Sequence, residues 1–297
     1  MSEELSVQWF PGHMAKTRRL IKSNLKLVDA VVEITDARIP SASRNPEMDS
    51  LTAGKPRMIL LNKCDMADAA VTAKWVEYYS KAGVFAIPVD CKSGQGLNKF
   101  LPTLKTMLKD KLDMLKSKGM AGRPIRIMVV GIPNVGKSSF INRLSRAARA
   151  KVEDRPGVTR GAQWVTIDKS AELLDMPGVL WPKFEDKRVG ELLAFTGAVK
   201  DNVTDKEYLA CRLLQFFKSN YPERLCERYK ISLDNITTDD MIMSDALEGY
   251  EILSRIGKAR GFLISGGEID TERAAITVTD EFRAGKLGRV SFESPEV

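Results

Sequence analysis

A phosphate-binding loop is the clearest chemical signature in the sequence. Residues 131–138 read Gly-Ile-Pro-Asn-Val-Gly-Lys-Ser and fit the pattern G-x-x-x-x-G-K-[ST]. An apolar run at 125–130 precedes them and a helical pattern follows, which is the setting that this motif requires. Lys137 is predicted to reach the β- and γ-phosphate oxygens, and the Ser138 hydroxyl to bind Mg²⁺. The residues predicted to bind nucleotide here are Asn134, Val135, Gly136, Lys137, Ser138 and Ser139.

A second motif downstream completes the predicted phosphate site. Residues 175–178 fit D-x-x-G, in which Asp175 would hold Mg²⁺ through a water molecule and the Gly178 N–H would contact the γ-phosphate. Between the two motifs, Thr159 is the predicted switch threonine, ordered by Mg²⁺ and the γ-phosphate. An ordinary loop threonine is the alternative at that position. The predicted magnesium ligands are Ser138, Thr159 and Asp175.

Base recognition is predicted from residues 62–65, which match N-K-x-D. The Asp65 carboxylate can accept hydrogen bonds from guanine N1–H and N2–H₂ together, a pair that adenine does not offer. Asn62 would orient the loop, and the Lys63 stem would lie along the base. Residues 89–94 fit a companion loop whose backbone N–H groups contact guanine O6. The predicted base-binding residues are Asn62, Lys63, Cys64, Asp65, Asp90 and Cys91.

The order of these motifs is unusual. In ordinary small GTPases the phosphate loop comes first and the guanine motif last, whereas here residues 62–65 precede residues 131–138. All of these loops can still lie at the carboxyl ends of parallel strands in one sheet. We therefore predict a circular permutation that opens the chain after Gly178 and joins the old termini through a helix over 97–117. The γ-phosphate-sensing segment then leads directly into the C-terminal part.

Alternating strands and helices are predicted to position these loops. Parallel βαβ units follow from this alternation, so the fold class is α/β, with a mostly parallel sheet flanked by helices and then a small all-α domain. The domain limits are predicted as 1–184, which includes a basic helix over 14–28, and 185–297, where a last helix runs from an Asp270 N-cap to a Gly285 C-cap. The predicted strands are 30–34, 57–61, 84–89, 125–130, 163–167 and 172–174, the last two forming a hairpin.

Composition limits the classes of function. The chain has 297 residues, a net charge of +7 and a pI near 9.1, with basic residues concentrated at 16–26 and 143–160. A polyanionic partner such as RNA is expected from this clustering. No apolar run is long enough to span a bilayer, and the N-terminus resembles neither a signal peptide nor a transit peptide. Four scattered cysteines indicate reduced thiols, so a cytoplasmic protein without membrane attachment is predicted.

Three further stretches extend the pattern over nearly the whole chain. They are WFPGHM at 9–14, DARIP at 36–40 and FRAGKLG at 282–288. With the nucleotide motifs, they resemble the circularly permuted GTPases of ribosome biogenesis. The resemblance implies GTP and GDP as ligands, and a late large-subunit precursor, with its rRNA and ribosomal proteins, as partner. It also implies release after GTP hydrolysis, an RNA-contacting C-terminal domain and a monomer off the ribosome.

Catalysis is predicted to depart from that of ordinary small GTPases. Val179 follows the D-x-x-G motif where a water-orienting glutamine usually stands. The family resemblance implies that His13, the only histidine, orients the attacking water instead; a helix-capping histidine is the alternative. The predicted catalytic residues are His13, Lys137 and Thr159.

An activating K⁺ ion is expected at Asn134, because this residue matches GTPases that use the ion where others use an arginine finger. An asparagine chosen only for its turn-forming ability is the alternative. Arg38 and Arg160 are predicted to be paired surface arginines rather than fingers. Two other functions stay open: an RNA-binding module that uses GTP only as a structural ligand, and a GTPase of tRNA modification or of a membrane surface.

Overall fold

Two compact units make up the part of the chain that the structure describes. The computed structural model describes residues 11–120, 122–148, 162–178, 180, 186–199, 205–236 and 247–295. One unit, the sheet unit, holds the described residues of 8–185 and of 291–297. The other, the helical unit, holds Asp186–Val290.

The sheet unit is built on six strands within the described residues: β1 Ala30–Asp36, β2 Arg57–Asn62, β3 Phe85–Pro88, β4 Ile125–Val130, β5 Gln163–Asp168 and β6 Ala171–Asp175. They form one sheet in the order β3-β2-β1-β4-β6-β5. All pairings are parallel except that of the edge strand β5 with β6. Every residue of β1 is buried, as expected for a central parallel strand covered on both faces.

Helices cover the sheet and bury its apolar residues. Ile21 of the first helix and Met48 of the second pack on Val31, while Trp75 and Tyr79 of the third pack on neighbouring β2. Phe100 contacts Phe140 edge-to-face at 5.1 Å between ring centroids. The helices are α1 Pro11–Leu25, α2 Met48–Leu51, α3 Ala69–Lys81, α4 Phe100–Met107, α5 Lys109–Ser117 and α6 Lys137–Ala148.

The predicted α/β class is confirmed, and each predicted strand is present with small shifts at its ends. The helix predicted over 97–117 is interrupted. It consists of a 3₁₀ turn at Leu97–Lys99 followed by α4 and α5, which meet at Leu108, where ψ is 15°. Leu108 is buried, whereas α5 has no buried residue. The leucine periodicity therefore continues past the point where the helix leaves the core.

The helical unit contains five helices among its described residues: α7 Lys187–Phe195, α8 Lys206–Asn220, α9 Pro222–Tyr229, α10 Leu247–Arg260 and α11 Thr271–Arg283. A Cβ at Gly249 of α10 would lie 2.2 Å from the Cys211 carbonyl oxygen, so α8 and α10 cross closely only because Gly249 has no side chain. The predicted caps of α11 are present. Asp270 Oδ1 accepts from the Arg273 N–H at 2.9 Å, and Gly285 has a φ of +75°.

The chain returns to the sheet unit after Val290. We call residues 291–295 the strap; they belong to the sheet unit, although the helical unit precedes them in sequence. The domain limits 1–184 and 185–297 and the RNA-binding role of the C-terminal part remain predictions. Among the described helices, none is long and apolar enough to cross a membrane.

Candidate nucleotide-binding site

The phosphate loop between β4 and α6 has the backbone of an anion-binding turn. Gly131, Asn134 and Gly136 have φ values of 151°, 60° and 103°. A Cβ at Gly131 would lie 2.5 Å from the Ile34 carbonyl oxygen, and one at Gly136 would lie 2.3 Å from Asn62 Nδ2. Both positions therefore require glycine. Positive φ values of this kind turn successive N–H groups into a concave anion site, which suits phosphate.

Lys137, the first residue of α6, is a buried cation beside this loop. Its Nζ donates to the carbonyl oxygens of Gly131 at 2.9 Å and of Ile132 at 2.7 Å. Burial lowers the pKa of its ammonium group to about 8, and the Asp175 carboxylate opposes that shift. Phosphate oxygens would stabilise the charged form, because they replace the hydration that burial removes.

The D-x-x-G segment lies against the phosphate loop. Asp175 is buried at the end of β6, where it pairs with Val129 of β4. A Cβ at Gly178 would lie 2.9 Å from the Pro133 backbone nitrogen and 3.0 Å from Lys137 Nζ. The backbone at Gly178 is thus close to the predicted phosphate position.

The oxygen donors of the phosphate loop and the D-x-x-G segment suit Mg²⁺. The Asp175 carboxylate and the Ser138 hydroxyl are hard oxygen donors, and Mg²⁺ is usually bound by one or two such protein groups together with substrate phosphates and water. Ser138 and Ser139 are exposed in the first turn of α6. Thr159, the third predicted ligand, lies outside the described residues. The described residues contain no group of three or more His, Cys, Asp or Glu side chains that could hold a metal.

Asn62 joins three of the predicted loops. Its Nδ2 donates to the Val135 carbonyl oxygen of the phosphate loop at 2.6 Å, and its Oδ1 accepts from the Cys91 N–H of the companion loop at 2.9 Å. The side chain is buried. The predicted orienting role of Asn62 thus has a geometric basis, because one amide ties the phosphate loop to both base-recognition loops.

Lys63 and Arg38 both pair with one buried carboxylate, that of Asp36. Lys63 has a left-handed φ of 60°, which costs about 1–2 kcal/mol for a non-glycine residue, and its Nζ pairs with Asp36 Oδ2 at 2.9 Å. Arg38 is paired, as predicted, but it is not on the surface: its side chain is 1% exposed and binds both Asp36 carboxylate oxygens. Burial alone would raise the pKa of Asp36, yet Arg38 and Lys63 hold it well below its ordinary value.

Asp65 presents a carboxylate oxygen for base recognition. Its Oδ1 is buried and has no hydrogen-bond partner among the described residues. A donor from a bound base would satisfy it, because a buried acceptor left unpaired costs free energy.

The companion loop is closed on itself. Asp90 accepts from the Lys92 N–H at 2.7 Å and the Ser93 N–H at 3.0 Å. Burial raises the pKa of Asp90, but hydrogen bonds from Ser93 and Lys92 outweigh it and leave this pKa below its ordinary value. The Gly94 N–H donates to the Asp90 carbonyl oxygen at 2.7 Å. With the Cys91 N–H bound to Asn62, a contact from this loop to guanine O6 would require a shared donor.

Four of the residues named in the sequence analysis lie, wholly or by their side chains, outside the part of the chain that the structure describes. His13 lies in α1, but its side chain is outside the described residues, as are Thr159, Val179 and Arg160. Asn134 is exposed in the phosphate loop.

The basic clusters behave differently from each other. Lys16, Arg19, Lys22 and Lys26 are exposed on or just after α1. In the second cluster, Arg143 donates to the Ser93 carbonyl oxygen and thus braces the companion loop, a contact that the charge pattern does not reveal. Sequence reasoning also misses Asp36 as a site residue, although this aspartate is the first residue of the DARIP stretch.

Comparisons with known proteins agree with this geometry. The family model described as 50S ribosome-binding GTPase matches residues 126–214. A ribosome biogenesis GTPase A from Bacillus licheniformis is 48% identical over 290 residues, covering 98% of this chain and 99% of the relative. One from Bacillus cereus is 46% identical, covering 98% and 94%. One from Thermotoga maritima is 34% identical, covering 98% and 95%.

Solved structures resemble the chain as well. The crystal structure of GNP-bound YlqF from T. maritima matches with a TM-score of 0.62 and 29% identity, covering 95% of this chain and 99% of that one. The GDP-bound structure of the same protein matches with a TM-score of 0.60, covering 93% and 99%. The chain therefore belongs to the ribosome biogenesis GTPase A family, and it is a GTP hydrolase of ribosome biogenesis with a circularly permuted P-loop fold.

Proposed function

We propose that this GTPase binds a late precursor of the large ribosomal subunit, promotes its maturation and leaves after hydrolysing GTP to GDP and phosphate. The observation that carries the proposal is the convergence of the phosphate, D-x-x-G and N-K-x-D loops at one edge of the sheet, with Asn62 bonded to both the phosphate loop and the companion loop. The family description, 50S ribosome-binding GTPase, supports the choice of partner.

In this proposal the triphosphate lies in the loop at 131–138. Backbone N–H groups and the Lys137 ammonium stabilise the charge that develops on the phosphate oxygens during transfer. Ser138, Thr159 and Asp175 would hold Mg²⁺, the last through a water molecule, and the Gly178 N–H would contact the γ-phosphate. Mg²⁺ held there would supply positive charge to the phosphates.

Guanine is held at the opposite end of the same edge. The Asp65 carboxylate accepts from N1–H and N2–H₂, Asn62 fixes the loop, and the Lys63 stem and Cys64 contact the base. Asp90 and Cys91 shape the companion loop. The unpartnered Asp65 Oδ1 and the two hydrogen bonds of Asn62 support this arrangement.

We assign the orientation of the attacking water to His13, and K⁺ bound at Asn134 would supply further positive charge. Both assignments rest on motif resemblance. Asn134 is exposed in the phosphate loop and has a left-handed backbone with a φ of 60°.

Contact with rRNA is assigned to the exposed cations of α1 and to the C-terminal helical domain. Four lysine and arginine side chains on or just after α1 are exposed, and such a cluster binds phosphate backbones without base-sequence specificity. We further propose a cytoplasmic protein that is monomeric off the ribosome.

Turnover in the presence of purified large-subunit precursor particles tests the proposal. GTP hydrolysis should rise on adding the particles, and should rise further in K⁺ than in Na⁺ at equal ionic strength. Mature small subunits serve as the control particle. A rate that the precursor leaves unchanged would refute the proposed partner, and equal rates in the two salts would remove K⁺ from the mechanism.

A further inference from the structure

The strap is held against the sheet unit by specific hydrogen bonds. The Phe292 N–H donates to the Arg38 carbonyl oxygen at 2.9 Å. The Glu293 carboxylate accepts from the Ser41 N–H at 2.8 Å and the Ala42 N–H at 3.0 Å. Trp75 Nε1 of α3 donates to the Glu293 carbonyl oxygen at 3.2 Å. The strap therefore fixes the backbone of the loop at 36–43.

That loop holds the lysine of the N-K-x-D motif. Asp36 begins the loop directly beside Asn62, its partner in the parallel ladder of β1 and β2. The Ala37 N–H donates to the Asn62 carbonyl oxygen at 2.7 Å. Asp36 Oδ2 then pairs with Lys63 Nζ at 2.9 Å, while Arg38 Nη2 binds the same oxygen at 2.7 Å.

These contacts form a continuous chain of interactions from the strap to Lys63. Glu293 and Phe292 bind the loop, Arg38 within the loop binds the Asp36 carboxylate, and that carboxylate pairs with the ammonium group of Lys63. This chain of interactions is sensitive to the loss of Asp36, because Asp36 is buried between two cations and removing its carboxylate would take a counter-charge from each.

We propose that the strap and Asp36 are positioning elements for guanine recognition, acting through Lys63 on the loop that presents Asp65. The inference rests on the proposed role of the N-K-x-D loop. It adds that the strap, which follows the helical unit and is far from the N-K-x-D motif in sequence, contributes to selectivity for guanine.

Selectivity for guanine distinguishes a positioning role of these residues from a purely structural one. It is measured as the dissociation constant for inosine diphosphate divided by that for GDP. The two ligands differ only by the N2 amino group. A variant that merely unfolds more easily weakens both ligands equally and leaves this ratio unchanged. Both Glu293→Ala and Asp36→Asn disrupt a hydrogen bond that involves a charged group. Each should therefore lower the ratio by about tenfold.

Glu33→Gln is the matched control. Glu33 lies on β1, is buried like Asp36 and pairs with an arginine, Arg44, rather than with Lys63. Its variant should lower the melting temperature and keep the wild-type ratio. Glu293 is only partly buried, so Glu293→Ala keeps the test decisive should Asp36→Asn fail to fold.

Two results would overturn the inference, and they are distinguishable. A wild-type ratio retained in Glu293→Ala, with a lowered melting temperature, would make the strap a structural element only. A wild-type protein that binds the two diphosphates equally would instead remove the proposed guanine role of the N-K-x-D loop, and the strap proposal with it.

Discussion

Asp65 carries the predicted choice of base. Its carboxylate has a buried oxygen with no partner among the described residues, and guanine offers the carboxylate the N1–H and N2–H₂ donor pair that adenine lacks. We expect Asp65→Asn to weaken GTP binding by about 10- to 100-fold, the worth of a hydrogen bond to a charged group. The variant should admit xanthosine triphosphate, because the acceptor pair becomes an acceptor and a donor. Competition binding with both triphosphates measures the change, and GTP affinity equal to that of the parent would refute the guanine assignment.

Lys137 predicts a pH dependence of nucleotide binding. Its pKa is lowered from 10.5 to about 8 in the folded protein. Above pH 8 the Lys137 amine is mostly neutral and must take up a proton when phosphate binds. GDP affinity should therefore fall by up to about tenfold per pH unit. Titrations at pH 7 and 9 measure this, and Lys137→Met should bind GDP more weakly and show no such slope. A slope retained in Lys137→Met would assign the proton to another group.

The same shift has a consequence for stability without nucleotide. Between pH 8 and 10.5 the unfolded chain binds more protons at Lys137 than the folded chain does, so this residue makes stability rise with pH over that window. Below pH 8 both states are charged and the cost of burying the ammonium is fully present. Lys137→Met should therefore melt at a higher temperature than the parent at pH 7, with the difference shrinking toward pH 10.

At the scale of elements, α1 is the proposed RNA-binding surface. Lys22 and Lys26 are exposed at and after its end, and Lys74 and Lys81 are equally exposed on α3. We expect Lys22→Gln with Lys26→Gln to weaken binding to the precursor particle. The slope of log affinity against log salt should also fall, by about 0.7–0.9 for each RNA phosphate that the variant no longer neutralises. The same change at Lys74 and Lys81 should have little effect. Equal effects of the two pairs would indicate general charge attraction rather than a surface on α1.

The elements are predictable where the signal is local. Strands β1 to β4 are short, largely apolar runs, and the nucleotide motifs occupy consecutive residues, so sequence alone places the motifs at strand ends. The helix over 97–117 is predicted too long because leucine spacing continues after Leu108 although α5 leaves the core. The short helix α2 lacks the length for a periodic pattern. Contacts such as Ser41 with Glu293, 252 residues apart, leave no periodic trace at all.

At the scale of the whole molecule, permutation changes which segments the chain connects. The D-x-x-G segment leads toward the helical unit in sequence, and the strap leads from that unit back to the loop beside the N-K-x-D motif. The same helical unit is thus linked by sequence to both the phosphate-sensing and the base-reading ends of the site. In an unpermuted GTPase the phosphate loop comes first and the guanine motif last, so the D-x-x-G segment leads on to the N-K-x-D motif and not to a following domain. The arrangement in this chain therefore depends on the permuted motif order.

Catalysis is also expected to depend on the assembled particle. The resemblance to the family implies that His13 orients the attacking water, and Val179 offers no side chain for that task. We expect His13→Ala to bind GTP and the precursor particle normally while losing about 10²–10⁴ of the particle-stimulated rate. Single-turnover hydrolysis on the particle measures it, with nucleotide and particle affinities measured on the same preparation.

A purely structural His13 predicts a different result. Removal of a helix cap costs about 1 kcal/mol, so His13→Ala would melt earlier but keep most of its stimulated turnover. Hydrolysis without the particle does not separate the two, because the proposed role requires the N-terminal segment to be positioned by its partner. If stimulated turnover survives in His13→Ala, K⁺ at Asn134 or a group of the particle must supply the acceleration, and the disappearance of K⁺ stimulation in Asn134→Ala would then identify the ion.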